Sequence, residues 1–219
     1  MDKLFELGPE FWAAAGETLY MVALTMVFGG LGGFLLGTGL YVTRAGSLLP
    51  NRAVYNVLNV LINFFRPIPF IIFIAAIQPL TRAVIGIGIG TNAAIFALSL
   101  AASFAIGRLV EQNLLTVRPG VIEAARSMGA GPWRILRTVV IGEALGPLIL
   151  AYTFIVIAVI DMTAMAGFIG GGGLGYFAQL YGYRQFEPVV TWAAVLLIVV
   201  FVQVVQYLGN WLARKVLRR

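Results

Sequence analysis

The chain has 219 residues, 60% of them hydrophobic and only 11% charged, with mean hydropathy +0.94 and a formal net charge of +6. A soluble domain carries about 25% charged residues, so a water-soluble globule is excluded and an all-α integral membrane protein is expected. The absence of Cys and His removes disulfides, thiolate chemistry and His-based metal or acid–base sites. The basic balance would also fit nucleic acid, but the placement of the charges follows membrane topology, and no nucleic-acid partner is expected.

The N-terminal segment holds Asp2, Glu6, Glu10 and Glu17 against Lys3 alone. Its first apolar run is too long for the core of a signal peptide, and none is expected. Apolar stretches follow at 18–42, 55–79, 93–110, 143–166 and 189–211. Each approaches the ~20 residues that cross a ~30 Å hydrocarbon layer, so five spans are predicted in one domain, 1–219. With the N-terminus outside, eleven Lys and Arg side chains fall in inner segments (Arg44, Arg52, Arg108, Arg118, Arg126, Arg134, Arg137, Arg214, Lys215, Arg218 and Arg219). Only Lys3, Arg82 and Arg184 fall outside. Positive charge concentrates on the cytoplasmic side, which orients the C-terminus and the long 111–142 loop inward.

In the first span Gly29, Gly33 and Gly37 recur every four residues, with Gly32 and Gly39 beside them. Small residues at that spacing let helix backbones approach closely in lipid; the stripe serves either a seam between subunits or packing within one chain. In the second span Asn56, Asn59, Asn63 and Arg66 fall on one helical face. Pro67 and Pro69 follow, each removing an amide donor, so the carbonyls of Asn63 and Phe65 lose their usual partners and a kink is expected. Asn63, Arg66, Pro67 and Pro69 therefore line or gate a pore, or they form an entry segment with Arg66 snorkelling to the headgroups.

The loop after the third span alternates charged and apolar residues at helical spacing. Pro119 suits the first position of a helix. Val121, Ala124, Ala125 and Met128 form its apolar face, with Ile122 and Glu123 within the same turns. Gly129 can take the left-handed conformation that ends it, and Pro132 can start the next helix. Such a segment docks a partner or lies on the membrane. In the fourth span Asp161, followed by Met162, Thr163 and Met165, is the anomaly. A carboxylate at mid-bilayer costs roughly 2.5–3.5 kcal/mol on translocon scales and usually faces a bundle interior. Three readings stand for Asp161: contact with a substrate amino group, pairing with Arg66 or another buried donor, or hydration near the outer interface. The run 170–175, Gly-Gly-Gly-Gly-Leu-Gly, lacks the Lys-Ser/Thr of a phosphate loop and reads as a turn at the outer mouth. Gly86, Gly88 and Gly90 have no strand–helix unit around them and fail as a dinucleotide fingerprint.

Glu123-Ala124-Ala125, three residues, then Gly129 resembles the signature loop of the permease subunits of ABC importers. The usual Ile-x-Leu-Pro-like segment after it reads Val139-Val140-Ile141-Gly142, so Gly142 stands where that family has proline. Further likeness, closest to the methionine-uptake permeases, lies in Tyr41-Val42-Thr43-Arg44, Phe65-Arg66-Pro67-Ile68-Pro69-Phe70, Ala164-Met165-Ala166-Gly167, Gly172-Gly173-Leu174-Gly175 and Tyr181-Gly182-Tyr183. Those permeases tend to carry a small residue where this chain has Asp161.

The resemblance implies a type I ABC importer permease fold in a bacterial cytoplasmic membrane, non-catalytic and without a cofactor of its own. ATP and Mg would be bound by two separate cytoplasmic ATPase subunits, seated on a coupling helix at Pro119–Gly129. A second copy of the chain and an extracytoplasmic substrate-binding (lipo)protein would complete the assembly. The implied substrate is methionine or a relative, with another amino acid or a small cationic solute as the alternative. The rival function is an ion-coupled secondary transporter or channel using Asp161; a membrane scaffold is a third.

Overall fold

The computed structural model describes residues 5–217; Asp2, Lys3, Arg218 and Arg219, which enter the charge reading above, lie outside them. Helices account for nearly all of the described residues, and no strand occurs among them. In chain order they are α1 (Gly8–Thr43), α2 (Arg52–Phe65), α3 (Phe70–Ala76), α4 (Gln78–Ile85), α5 (Thr91–Leu114), α6 (Pro119–Ser127), α7 (Pro132–Phe168), α8 (Gly173–Phe177, continued by a π-helical turn to Tyr183) and α9 (Pro188–Leu217). Four of these, α1, α5, α7 and α9, are long and apolar enough to cross a membrane; α2 and α3 make a fifth only if counted as one broken span.

α1 and α5 form the most extensive helix pair, and glycine is the reason. A Cβ at Gly29 would lie 2.8 Å from the Ser99 carbonyl oxygen, and one at Gly33 would lie 2.5 Å from Ile106 Cβ. At Gly37 it would collide with the Gly107 carbonyl. The glycine stripe is thus spent on packing within one chain, the second of its two readings. Across this seam Ser103 Oγ donates to the Gly29 carbonyl at 3.3 Å.

Around that pair the core divides by depth. Met21, Ala94, Leu98 and Ala166 join α1, α5 and α7, while Ala14, Leu174, Phe177 and Ala194 join the start of α1 to α8 and α9. At the other end, Val110, Leu114, Val117, Ile135 and Val140 bring α5 and α7 together beneath α6. α9 is outermost: only Val190, Ala194, Gly209 and Ala213 of its thirty residues are buried. Its exposed Trp192, Leu196, Val200 and Leu208 form an apolar surface that only lipid or another subunit can cover.

The expected proline kink is a break. α2 and α3 are bent by 107°, because Pro67 and Pro69 supply no amides to carry the helix onward. The Phe65 carbonyl is not stranded, as its sequence position implied: Ile68 N–H reaches it at 3.2 Å. Gly142 makes no turn. The chain passes through a π-helical stretch, Ile135–Val140, directly into Ile141–Phe168, so the family's proline position lies within continuous helix.

Gly33→Val should destabilise the detergent-solubilised protein by about 1–3 kcal/mol, the usual cost of overpacking. Gly16→Ala in the same helix meets nothing within 4 Å and should raise thermal stability slightly, by about 0.5–1 kcal/mol.

Candidate functional site: an exposed docking segment and a broken span

α6 is short but well ended. Pro119 occupies its first turn after an extended Arg118, where a missing amide costs nothing. At the other end Gly129 adopts φ 78°. Ala130 N–H donates to the Ala125 carbonyl at 3.1 Å and Gly129 N–H to the Arg126 carbonyl at 2.9 Å, the paired bonds of a Schellman stop. The predicted apolar face divides in two. Ile122 and Ala125 turn inward against the core that contains Val117 and Ile135, whereas Val121, Ala124 and Met128 point outward, Met128 being 87% exposed. Glu123 is exposed beside them. Arg126 donates to the Ser47 carbonyl at 3.2 Å, tying α6 to the α1–α2 connection across a recess of about 280 Å³ that Tyr41, Arg44 and Glu123 also line. α6 is therefore attached along one side and bare along the other.

The polar stripe of α2 has a partner that its sequence did not announce. Arg108 of α5 donates to Asn59 Oδ1 and Asn63 Oδ1 at 2.6 Å each and pairs with Glu111 Oε2 at 2.6 Å. Asn63 in turn donates to Asn59 Oδ1 at 3.1 Å. The Glu111 side chain is only 4% exposed. Asn63 is thus turned toward α5, while Arg66, Pro67 and Pro69 are exposed at the break.

Asp161 is not interior to the protomer. It is exposed, and among the described residues no ion pair or hydrogen bond joins it to Arg66 or to any other donor, which removes the pairing reading within one chain. At 100° per residue it shares a single helical face with Leu150, Phe154, Met165 and Phe168, all exposed. Thr163 and Met162 are on other faces: Thr163 is buried, donating to the Ile160 carbonyl at 2.6 Å, and Met162 packs on the Met21 cluster. Of the four neighbouring candidates, only Asp161 and Met165 come together on open surface.

The glycine run 170–175 forms a turn, with positive φ at Gly170, Gly172 and Gly173. Two amides that begin α8 find side-chain acceptors on α1: Gly173 N–H donates to Glu17 Oε2 and Leu174 N–H to Thr18 Oγ1, both at 2.8 Å. Gly175 packs against Ala164 so closely that a Cβ would strike its backbone, so two of the segments quoted for family likeness meet in space. Gly86 and Gly90, also at positive φ, bound the turn between α4 and α5.

Residues 29–218 match the family model described as the binding-protein-dependent transport system inner membrane component. The chain belongs to that family. It is 38% identical to a probable D-methionine transport system permease protein, MetI, of Vibrio cholerae, over 93% of this chain and 90% of that one. It is 40% identical to a methionine import system permease protein, MetP, of Bacillus subtilis, over 92% and 90% respectively. Its fold superposes on a solved inward-facing MetNI methionine ABC transporter chain with TM-score 0.91 at 38% identity, covering 94% of this chain and 95% of the other. A more distant amino acid ABC transporter, 22% identical with TM-score 0.79, shares the fold alone.

Two residues outside every sequence motif, Arg108 and Glu111, join α2 to α5. In the sequence Arg108 stands only among the inner positive charges, and Glu111 belongs to no motif. Their signal was an opposite-charge pair three residues apart at the end of an apolar helix, facing an asparagine stripe without an evident partner.

Gly129→Ala should strain the left-handed stop by about 1–2 kcal/mol and fray α6. Hydrogen exchange at the amides of 124–130 should quicken, while the α5 amides remain protected.

Proposed function

We propose that this chain is the membrane-spanning, non-catalytic subunit of an ATP-driven importer for methionine or a closely related amino acid. The observation that carries the reading is the likeness to methionine permeases along nearly the whole chain, with the Glu123–Gly129 segment standing bare at one end of the bundle. Two copies of the chain assemble around a path, two ATPase subunits seat on α6, and a substrate-binding protein delivers the solute from the opposite side. The concentration of Arg and Lys in the segments around α6 and at the end of α9 supports a cytoplasmic position for both. Family membership leaves the ion-coupled alternative without support.

ATP and Mg belong to the partner subunits; this chain receives movement. Val121, Ala124 and Met128 form a small apolar surface for a groove, and Glu123 adds a directed charge at its edge. Ile122 and Ala125 fasten α6 to the core below, so displacement of the segment is passed to the ends of α5 and α7. Packed helices respond by rigid-body rotation of one half against the other, which opens the path alternately to each side.

The path runs along the exposed face of α7. A carboxylate aimed at lipid would cost roughly 2.5–3.5 kcal/mol on translocon scales, so the Asp161 face looks onto water between the two copies. There Asp161 offers an acceptor to the ammonium group of a passing amino acid, while Met165 supplies apolar contact for its side chain.

Glu123→Ala and Met128→Asp change exposed positions and should leave permease folding within about 0.5 kcal/mol of wild type. In liposomes containing the ATPase and binding protein, each should lower stimulated hydrolysis about tenfold, equivalent to about 1.4 kcal/mol; hydrolysis indifferent to both would overturn the docking assignment. Asp161→Asn should reduce uptake by about the same factor with assembly intact, and unchanged uptake would remove Asp161 from the path.

A further inference from the structure

We infer that Arg108 is a positioning residue that links the docking end of the protein to the broken span. Its guanidinium makes α2 follow α5 during transport. The inference rests on the importer reading and specifies where movement passes from α6 to the path.

α2 is held by few apolar contacts: beside Ile62, Phe65 stacks on Phe104 of α5 at 4.8 Å, and Tyr55 and Leu58 are partly buried in the same cluster. Of its fourteen residues only Ile62 is buried. That side chain lands on Gly107, where an added Cβ would lie 3.1 Å from Ile62 Cδ1. The next residue is Arg108, whose NH2 reaches Asn59 Oδ1 and Asn63 Oδ1 at 2.6 Å. Both asparagines lie in the last two turns of α2, and Asn63 stands three residues before Arg66 and the 107° bend. The other end of the guanidinium is fixed by buried Glu111 at 2.6 Å, only three residues from the end of α5 at Leu114. From there a four-residue connection leads to Pro119 and α6.

The planar fork of arginine suits this task. Three acceptors on two helices are met by one rigid group, which a lysine ammonium on a flexible stem cannot match. Charge-assisted hydrogen bonds are short and directional. The contact therefore adds a directional link to the apolar packing of Ile62 and of Phe65, which stacks on Phe104 of α5 at 4.8 Å. Glu111 holds Arg108 in the orientation that presents NH2 to α2, and it neutralises a cation at the end of a membrane helix.

The test uses the complete complex of permease, ATPase and binding protein in liposomes, with uptake of labelled methionine and hydrolysis measured together. Asn59→Leu combined with Asn63→Leu removes both acceptors on α2, keeps the number and branching of side-chain heavy atoms, and leaves the Arg108–Glu111 pair whole. The expected result is normal assembly, stimulated hydrolysis within about twofold of wild type, and methionine carried per ATP lowered about tenfold. Arg108→Lys should give the same uncoupled pattern. Unchanged uptake per ATP in the double variant would overturn the inference. So would a parallel loss of assembly, hydrolysis and uptake, which marks a merely structural contact. A wild-type complex whose hydrolysis is not stimulated by the loaded binding protein would instead sink the importer reading itself.

Discussion

The backbone contact between α1 and α5 is the constraint on which the remaining arrangement depends. In lipid, apolar side chains gain nothing by leaving hydrocarbon for one another, so helices associate through close van der Waals contact and the polar bonds that proximity allows. Gly29, Gly33 and Gly37 remove the side chains that would keep the axes apart. The spacing this gives places Gly107 against α1 on one side and beneath Ile62 of α2 on the other. A larger residue at any of these positions would move α5, and with it Arg108, Glu111 and the entry to α6.

A second seam does for the opposite end what the first does for the middle. Glu17 and Thr18 of α1 receive the opening amides of α8, and Gly175 rests directly on Ala164 of α7. α1 thereby joins α5, α7 and α8 into one rigid unit. The parts least buried against this unit are α2, with one fully buried residue besides its bonds to Arg108, the 107° break, and α6, which rests on the core only through Ile122 and Ala125. Rigid frame and less buried elements divide the molecule into what must stay together and what is free to shift, which is the division a rocking permease needs.

Charged side chains on the spanning helices take two kinds of setting. Arg108 and Glu111 are satisfied by each other and by asparagines; breaking such a buried pair by removing one member typically costs about 3–5 kcal/mol. Asp161 has no partner among the described residues and is open to its surroundings. The first kind fixes helix positions, whereas the second asks for a ligand or water. The same residue types therefore take opposite roles because one set lies between helices and the other lies on a face the protomer leaves uncovered.

Much of this protein could be read in one dimension. Hydropathy, the two prolines, the glycine spacing and the Glu123–Gly129 motif are local patterns, and local patterns determine helix existence, breaks and stops through steric and hydrogen-bond rules of a few residues' range. They were enough to place α6, its left-handed end and the family resemblance. What the sequence could not decide was direction. Whether the glycine stripe faced a neighbour or its own α5, whether Asp161 pointed inward, and where the asparagine stripe found its cation all depend on rotation of each helix about its axis. That rotation is set by contacts between residues far apart in the chain, such as Gly33 with Ile106 and Asn59 with Arg108. Only the packed bundle determined them, because in a membrane the choice between two apolar faces turns on shape fit and a few polar bonds rather than on hydrophobicity.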